Sequence, residues 1–145
     1  MGMGTGRGWV RAGVALGAAV LVAVGLAGTA QADDGTDGTP CSSAARACVD
    51  LAAGAAWLIE GGTVVRGPVP ISQGGPGHET PRGDFAVEWK NRDHRSAEFG
   101  GAPMPFAVFF APGGIAFHEG SLETSSAGCV RLVRDEAAAF FDFLA

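Results

Sequence analysis

Short apolar runs separated by glycine and proline make up most of the chain after residue 49. Residues 56–60 and 63–66 flank a Gly-Gly pair, a pattern typical of two strands around a tight turn. Residues 68–72 form a further extended piece. Residues 106–110 and 115–118 are predicted as two strands joined by a Pro-Gly-Gly turn.

The middle of the chain contains one alternating segment between two polar ones. In residues 84–90, Phe85, Val87 and Trp89 alternate with polar or small residues, which predicts a half-buried strand. The glycine- and proline-rich residues 73–83 and the polar residues 91–101 are predicted to be loops.

Only the C-terminal end has helical spacing. Ala137, Phe140, Phe141 and Leu144 recur at i, i+3, i+4 and i+7, and two acidic residues precede them, which suits the positive end of a helix dipole. The predicted fold class is therefore mostly β, a sandwich or closed sheet with one C-terminal helix packed on it. This architecture is economical for so small a core.

The N-terminal segment differs from the rest. Arg7 and Arg11 precede an unbroken run of Ala, Val, Leu and Gly, and residues 30–32 read Ala-Gln-Ala before the first acidic residues. This order predicts a secretory signal peptide over residues 1–32. The alternative is a retained membrane anchor, for which the apolar run is short. Both interpretations place the domain outside the cytoplasmic membrane, and only an uncleaved segment would touch the membrane.

Residues 33–48 are predicted to be a flexible leader, and residues 49–145 the domain itself. The net charge of the chain is −5, and every acidic residue follows the N-terminal segment. An acidic surface repels phosphate, so nucleic acid is excluded as a partner. No surface pattern indicates a protein partner, and a monomer is expected.

Three cysteines divide into a close pair and a distant one. Cys41 and Cys48 lie near the start of the domain, and export into an oxidising space permits a disulfide between them. Cys129 is then left over, either buried and inert or reactive.

The residues around Cys129 suit nucleophilic catalysis. His118 ends a predicted strand, a loop of small polar residues follows, and Gly128 precedes Cys129. A neighbouring imidazole can take the thiol proton, and backbone N–H groups around Gly128 and Cys129 would face a developing oxyanion. Arg131 would point the same way as Cys129 in an extended chain and bind a substrate carboxylate or carbonyl.

Structural alternatives remain open at this point. Cys129 can be a small buried hydrophobe, His118 a structural histidine, and Arg131 a partner of Asp135 or Glu136. The remaining histidines, His78 and His94, are predicted to be loop residues. The spacing of the three histidines matches no zinc motif, so no metal site is expected.

Five motifs in order resemble the L,D-transpeptidase (YkuD-like) catalytic domains. They are Val-Pro-Ile-Ser-Gln-Gly at 69–74, Thr-Pro-Arg-Gly-Asp-Phe at 80–85, Pro-Met-Pro-Phe at 103–106, Gly-Ile-Ala-Phe-His at 114–118 and Ser-Ala-Gly-Cys-Val-Arg-Leu at 126–132. The resemblance covers nearly all of the chain beyond the N-terminal segment. It implies a mostly β fold whose sheets flank a groove.

The resemblance also implies an activity and a set of site residues. Cys129 would attack the third-residue carbonyl of a peptidoglycan tetrapeptide stem and form a thioester, with His118 as its base and the Glu119 carbonyl orienting that histidine. The substrate or oxyanion group would comprise Ser126, Ala127, Gly128, Arg131 and Glu119. No metal or organic cofactor is implied, and carbapenems are expected to acylate the cysteine.

Three departures from the family pattern stand out. Ala127 replaces a histidine usual between Ser and Gly, Phe106 stands where tyrosine is common, and the sequence ends at Ala145, where the family usually continues into a closing strand. The first departure motivates an alternative, a catalytically impaired member that binds cell-wall stems. A non-enzymatic exported domain with an inert cysteine is the other. Sortase-like and papain-like interpretations fail on the His–Cys spacing and order.

Overall fold

The computed structural model describes residues 35–145, so the predicted signal peptide at 1–32 lies outside the described residues. The described chain forms seven strands and one helix: β1 (Ala47–Asp50), β2 (Ala55–Glu60), β3 (Thr63–Pro70), β4 (Trp89–Arg95), β5 (Pro103–Ala111), β6 (Ile115–Glu119), β7 (Val130–Leu132) and α1 (Arg134–Phe143). The predicted fold class, mostly β with a C-terminal helix, is confirmed.

The first sheet contains β1, β2 and β3 in that order, all antiparallel. Glu60 pairs with Thr63 across a turn in which Gly61 and Gly62 both have positive φ. Two consecutive positive φ values are what a tight hairpin turn requires, and glycine adopts them without steric cost. The predicted hairpin is therefore confirmed, and β3 extends it as far as Pro70.

The second sheet has the order β4-β5-β6-β7. The pairs β4–β5 and β5–β6 are antiparallel, whereas β6 and β7 run parallel, with Phe117 opposite Val130 and His118 opposite Arg131. The chain leaves β6 at its carboxyl end and returns through residues 120–129 to start β7 beside it. This return loop carries the Ser-x-Gly-Cys motif.

The main core lies between the two sheets and the helix. It joins Leu58 and Val69 of the first sheet to Val108 and Val130 of the second and to Phe140 of α1. Because side chains alternate along a strand, the opposite face of the second sheet holds a separate small cluster: Met104, Ala107, Phe109, Ala116 and the partly buried Cys129. We call this the nucleophile face.

Helix α1 begins at Arg134 with Asp135 and Glu136 in its first turn and no basic residue in its last. Its carboxyl end is instead capped by cations from the strands and from the segment before β1. Lys90 donates to the carbonyls of Phe141 and Leu144, and Arg46 donates to that of Phe143. Positive charge at this end offsets the helix dipole, so residues distant in sequence complete the helix.

Two predicted elements are wrong. Residues 84–88 are not a strand, and β4 instead covers Trp89–Arg95, within a segment predicted mostly to be loop. All of its residues except Trp89 are polar or charged, and only His94 is partly buried. An edge strand that exposes both faces lacks the apolar alternation by which strands are recognised.

A disulfide joins Cys41, in the segment before β1, to Cys48. Cys48 belongs to β1 and packs with Trp57 and Ile59 on the outer face of the first sheet. Strand β1 starts at Ala47, two residues before the predicted domain boundary. Helix α1, the one helix in residues 35–145, is too short to cross a membrane.

Candidate active site

His118 and Cys129 lie on the nucleophile face of neighbouring parallel strands. His118 is opposite Arg131, and Cys129 precedes Val130, the partner of Phe117. With about 4.8 Å between strands and about 3.3 Å per residue, the Cα atoms of His118 and Cys129 are about 8 Å apart. A thiol and an imidazole on one face can meet across that distance.

The His118 ring is buried and oriented by its own strand. Its Nδ1 lies 2.7 Å from the carbonyl oxygen of Glu119. Because a carbonyl only accepts, Nδ1 carries the hydrogen in the neutral ring, which leaves Nε2 as the acceptor. Burial lowers the pKa of His118; the Glu119 carbonyl opposes this shift, and the charges of Arg131 and His94 add to it.

The Cys129 thiol is partly buried, and its Sγ lies 3.6 Å from the carbonyl oxygen of Gly114 in the β5–β6 turn. Burial raises the pKa of this thiol, while a hydrogen bond from the Ala116 backbone and the charge of Arg131 oppose the rise. Both shifts favour the uncharged forms of the Cys129 thiol and the His118 imidazole at neutral pH.

Ser126 organises the loop that presents Cys129. Its hydroxyl donates to the Cys129 carbonyl and accepts a 3.1 Å hydrogen bond from the Gly128 N–H. The Gly128 N–H is therefore used within the loop, and the oxyanion role of the backbone N–H groups around Gly128 and Cys129 stays a prediction. Outside the strand ladders, no hydrogen bond of residues 35–145 uses the N–H of Ala127 or Cys129.

Gly128 occupies a position that requires glycine, with φ at 120°. A Cβ added there would lie 2.6 Å from Cδ1 of Ile115. Ala127 beside it is exposed. Because this residue is alanine, the loop has no imidazole at that position.

Arg131 holds the return loop. Its Nη1 donates to the backbone carbonyl and to the hydroxyl of Thr124, at 3.2 Å each. A Cβ at Gly120 would lie 2.6 Å from the Arg131 Cδ, so the glycine makes room for the arginine stem. The alternative pairing of Arg131 with Asp135 or Glu136 is absent among the ion pairs of residues 35–145, and Glu136 pairs with Arg66 instead.

The loop at 72–80 braces the return loop from the other side. Ser72 exchanges two backbone hydrogen bonds with Arg131, at 3.1 and 2.8 Å, and the Gln73 carbonyl accepts from the Ser126 N–H at 2.8 Å. The buried Thr80 hydroxyl accepts from the Gly74 N–H at 2.9 Å and donates to the Gly128 carbonyl at 2.8 Å.

Two residues near the site act differently from what their positions suggest. The Glu119 side chain pairs with Arg134 at 2.9 Å, so only its backbone faces His118. Phe106 lies in the main core against Phe141, not on the nucleophile face. A tyrosine hydroxyl at that position would not lie beside His118 and Cys129.

Sequence reasoning missed two contributors to this region. Thr80 was identified only as part of the motif at 80–85, and nothing in the sequence indicated its hydrogen bond to Gly128. His94, predicted to be a loop residue, lies on β4 with its ring against Trp89 and Phe109. The described residues contain no group of three or more His, Cys, Asp or Glu side chains placed to hold a metal ion.

This arrangement suits acyl transfer. An oriented imidazole can take the thiol proton through Nε2 and return it to a leaving amine. The Arg131 guanidinium on the same face favours the thiolate, and the N–H of Cys129 itself is a backbone donor that an oxyanion at this residue could use.

Comparison with known proteins places this geometry in a family. Residues 44–145 match the YkuD family, described as the L,D-transpeptidase catalytic domain. No curated protein sequence matches the chain significantly.

Similar folds occur among solved structures of L,D-transpeptidases. One from Stackebrandtia nassauensis is 22% identical with a TM-score of 0.59, covering 63% of this chain and 46% of that one. One from Mycobacterium smegmatis is 25% identical with a TM-score of 0.58, covering 66% and 52%. L,D-transpeptidase 1 of Mycobacterium tuberculosis is 28% identical with a TM-score of 0.55, covering 66% and 53%.

The chain spans about half the length of these solved proteins. The family match covers most of its own length and includes both sheets, the helix and the return loop. The chain therefore belongs to the YkuD family of L,D-transpeptidase catalytic domains.

Proposed function

We propose that this chain is a cysteine-dependent L,D-transpeptidase that cross-links or modifies the peptide stems of peptidoglycan through a thioester acyl-enzyme. The observation that carries the proposal is the placement of Cys129 and His118 on one face of the second sheet, at the adjacent strands β6 and β7, with His118 Nδ1 2.7 Å from the Glu119 carbonyl oxygen. Family membership supplies the substrate class.

The first half-reaction forms the acyl-enzyme. Nε2 of His118 accepts the thiol proton, and Sγ of Cys129 attacks the carbonyl carbon of the third stem residue. The C–N bond to the terminal D-alanine breaks, and His118 returns the proton to the departing amine. The N–H of Cys129 stabilises the oxyanion, and Arg131 keeps the return loop in place through Thr124.

The second half-reaction resolves the thioester. An amine of a neighbouring stem attacks the thioester carbonyl and gives its proton to His118, which then protonates the departing Sγ. Water in place of the amine gives hydrolysis. In each half-reaction His118 first accepts a proton and then donates it, so the same side chains serve both, and no step needs a cofactor.

The predicted export places this chemistry in the cell envelope. The N-terminal segment, as a signal peptide, would carry the domain across the cytoplasmic membrane, where peptidoglycan lies. The Cys41–Cys48 disulfide suits an oxidising compartment.

A second candidate is a member of the same fold that binds stems without joining them. The observation that favours it is Ala127, which is exposed and leaves the loop without an imidazole. Product analysis separates the two. The purified protein is incubated with a tetrapeptide stem and an amine acceptor, beside Cys129→Ala, and released D-alanine and the new cross-link are measured.

Release of D-alanine by the parent protein and not by Cys129→Ala is the expected result. Binding of the tetrapeptide by both proteins without any release of D-alanine would overturn the transpeptidase proposal in favour of the binding-only one.

A further inference from the structure

One row of residues crosses the second sheet at the level of the nucleophile. Trp89 of β4 pairs with Phe109 of β5, and Phe109 pairs with Ala116 of β6. The parallel register of β6 and β7 then puts Ala116 beside Cys129. Three strand spacings of about 4.8 Å therefore separate Trp89 from Cys129, which is about 14 Å across the sheet.

The middle of this row carries only a small side chain. Phe109, Ala116 and Cys129 belong to one cluster on the nucleophile face, together with Met104 and Ala107. Both alanines of the cluster are buried. Between the aromatic end of the row and the nucleophile, the surface of the sheet is thus formed by a single methyl group.

The β4 end of the row is a flat aromatic surface. The Trp89 and Phe109 rings stack with centroids 3.9 Å apart and an interplanar angle of 7°. The His94 ring stands edge-on to both, at interplanar angles of 77° and 80°. Phe109 is 3% exposed and Trp89 47% exposed, so one face of the indole is backed by a buried ring while much of the indole contacts solvent.

The opposite side of the nucleophile is closed. Beyond β7, the loop at 72–80 packs against the return loop: the Gly75 N–H donates to the Ser126 carbonyl at 3.2 Å, and the Thr80 hydroxyl donates to the Gly128 carbonyl at 2.8 Å. A long ligand that lies on the sheet and reaches the nucleophile therefore extends over β6 and β5 towards β4.

We propose that Trp89, backed by Phe109, binds a pyranose ring of the glycan strand that carries the peptide stem. The inference rests on the proposed function and adds a second binding position for the same substrate. The attacked carbonyl belongs to the third stem residue, and three extended residues span about 10–11 Å. With the lactyl group that joins the stem to its sugar, this length matches the separation of Trp89 from Cys129.

The chemistry of a pyranose suits such a surface. The sugar ring presents C–H bonds on its faces and hydroxyl groups around its rim. The negative face of an indole attracts polarised C–H bonds, and contact between the two flat surfaces removes apolar area from water. Because the stacked Phe109 and the edge-on His94 already hold the Trp89 ring in place, little side-chain entropy is lost on binding.

The test compares two ligands on matched proteins. A free tetrapeptide stem and the same stem carrying its N-acetylglucosaminyl-N-acetylmuramyl disaccharide are titrated by calorimetry into the Cys129→Ala protein, in which turnover cannot occur. The titrations are repeated with Trp89→Leu and with Trp89→Phe in the same background. Leucine removes the flat ring, whereas phenylalanine keeps a smaller one.

Cys129→Ala is expected to bind the disaccharide-bearing stem about tenfold more tightly than the free stem. Trp89→Leu should abolish this preference with little change for the free stem, and Trp89→Phe should retain part of it. An unchanged preference in a folded Trp89→Leu protein, an equal loss for both ligands, no preference in Cys129→Ala, or no binding of either ligand would overturn the inference. If thermal unfolding shows Trp89→Leu to be misfolded, a full preference in Trp89→Phe would overturn it.

Phe85→Leu is the control for the loss of an exposed aromatic ring. Phe85 is 43% exposed and contacts Phe110, which packs against the main core on the other face of the sheet. This variant should keep the preference for the disaccharide-bearing stem. Its loss there as well would mean that the effect is not specific to Trp89, and would overturn the inference.

A separate readout keeps this test distinct from the proposed function. Acylation of the parent protein and of Trp89→Leu by the carbapenem imipenem, which contains no sugar, is followed by intact mass. Both proteins are expected to form the adduct at similar rates. Absence of the adduct from the parent protein would count against the acyl-enzyme, whereas the preference for the disaccharide in the Cys129→Ala proteins reports on Trp89 alone.

Discussion

The hydroxyl group of Thr80 donates a 2.8 Å hydrogen bond to the backbone carbonyl of Gly128, the residue before the nucleophile. The same oxygen accepts from the Gly74 N–H at 2.9 Å. Thr80 is only 5% exposed, Gly128 is buried and Gly74 is half-buried, so water is a poor alternative partner for these backbone groups. The Thr80 side chain thus connects the loop at 72–80 to the return loop.

Replacing Thr80 with valine keeps the shape and removes both hydrogen bonds. The free energy of unfolding is expected to fall by about 1–3 kcal/mol, because two poorly solvated backbone groups lose their partner. Acylation of Cys129 should also slow. Thr80→Ser, which keeps the hydroxyl, is the control, and urea unfolding is the measurement. A valine variant as stable as the parent protein would show that the two hydrogen bonds contribute nothing.

Gly128→Ala tests whether the return loop depends on a positive φ at residue 128. The added side chain is strained at a φ of 120° and meets Cδ1 of Ile115 at 2.6 Å. We expect a loss of about 1–3 kcal/mol in unfolding free energy, from the strained backbone. Acylation should slow at least about tenfold, because a misplaced nucleophile loses its near-attack geometry.

Ile115→Val separates the two causes, since valine lacks the Cδ1 atom that the added methyl group would touch. Combined with Gly128→Ala it relieves the clash and leaves the backbone strain, so the acylation rate should stay low. Recovery of the parent rate in the double variant would mean that crowding alone, and not the backbone conformation, makes glycine necessary.

The buried pair predicts how stability depends on pH. Burial lowers the pKa of His118 below its ordinary 6.5, so as the pH falls through 6.5 the unfolded chain binds a proton first and stability decreases. Burial raises the pKa of Cys129 above its ordinary 9.0, so the unfolded chain loses a proton first as the pH rises past 9.0, and stability again decreases.

Urea unfolding at a series of pH values checks both signs. His118→Gln should lose less stability than the parent protein between about pH 7 and 5, and Cys129→Ala should lose less above about pH 9. Identical pH dependence in parent and variants would mean that neither group is perturbed by folding.

Arg131 is expected to tune the thiol. Its positive charge is one of the influences that oppose the burial-driven rise in the pKa of Cys129. Arg131→Gln should therefore raise that pKa further, and alkylation of Cys129 by iodoacetamide should require a higher pH. Arg131→Lys keeps the charge while losing the paired contact with Thr124, and should stay closer to the parent profile. Equal profiles for the glutamine and lysine variants would contradict an electrostatic role.

Local patterns predicted the hairpin of β2 and β3, the β5–β6 pair and the terminal helix, because each is amphipathic or bounded by glycine. They failed for β4, where the strand is held by pairing with β5 and by aromatic contacts between Trp89 and Phe109. A polar edge strand is specified by its neighbours, and those neighbours are distant in sequence.

The candidate site divides in the same way. His118, Cys129 and Arg131 follow from the motif, and the alternation along parallel strands explains why they share a face. The use of the Gly128 N–H by Ser126, the contact of Thr80 with Gly128 and the position of His94 depend on how loops and strands pack together. No spacing in the sequence reports such contacts.

The most direct test of the proposed chemistry is the intact mass of the purified protein after incubation with a carbapenem. We expect one adduct on the parent protein, no adduct on Cys129→Ala and slower formation on His118→Ala. A folded parent protein that gains no adduct, although iodoacetamide alkylates Cys129, would contradict the acyl-enzyme mechanism.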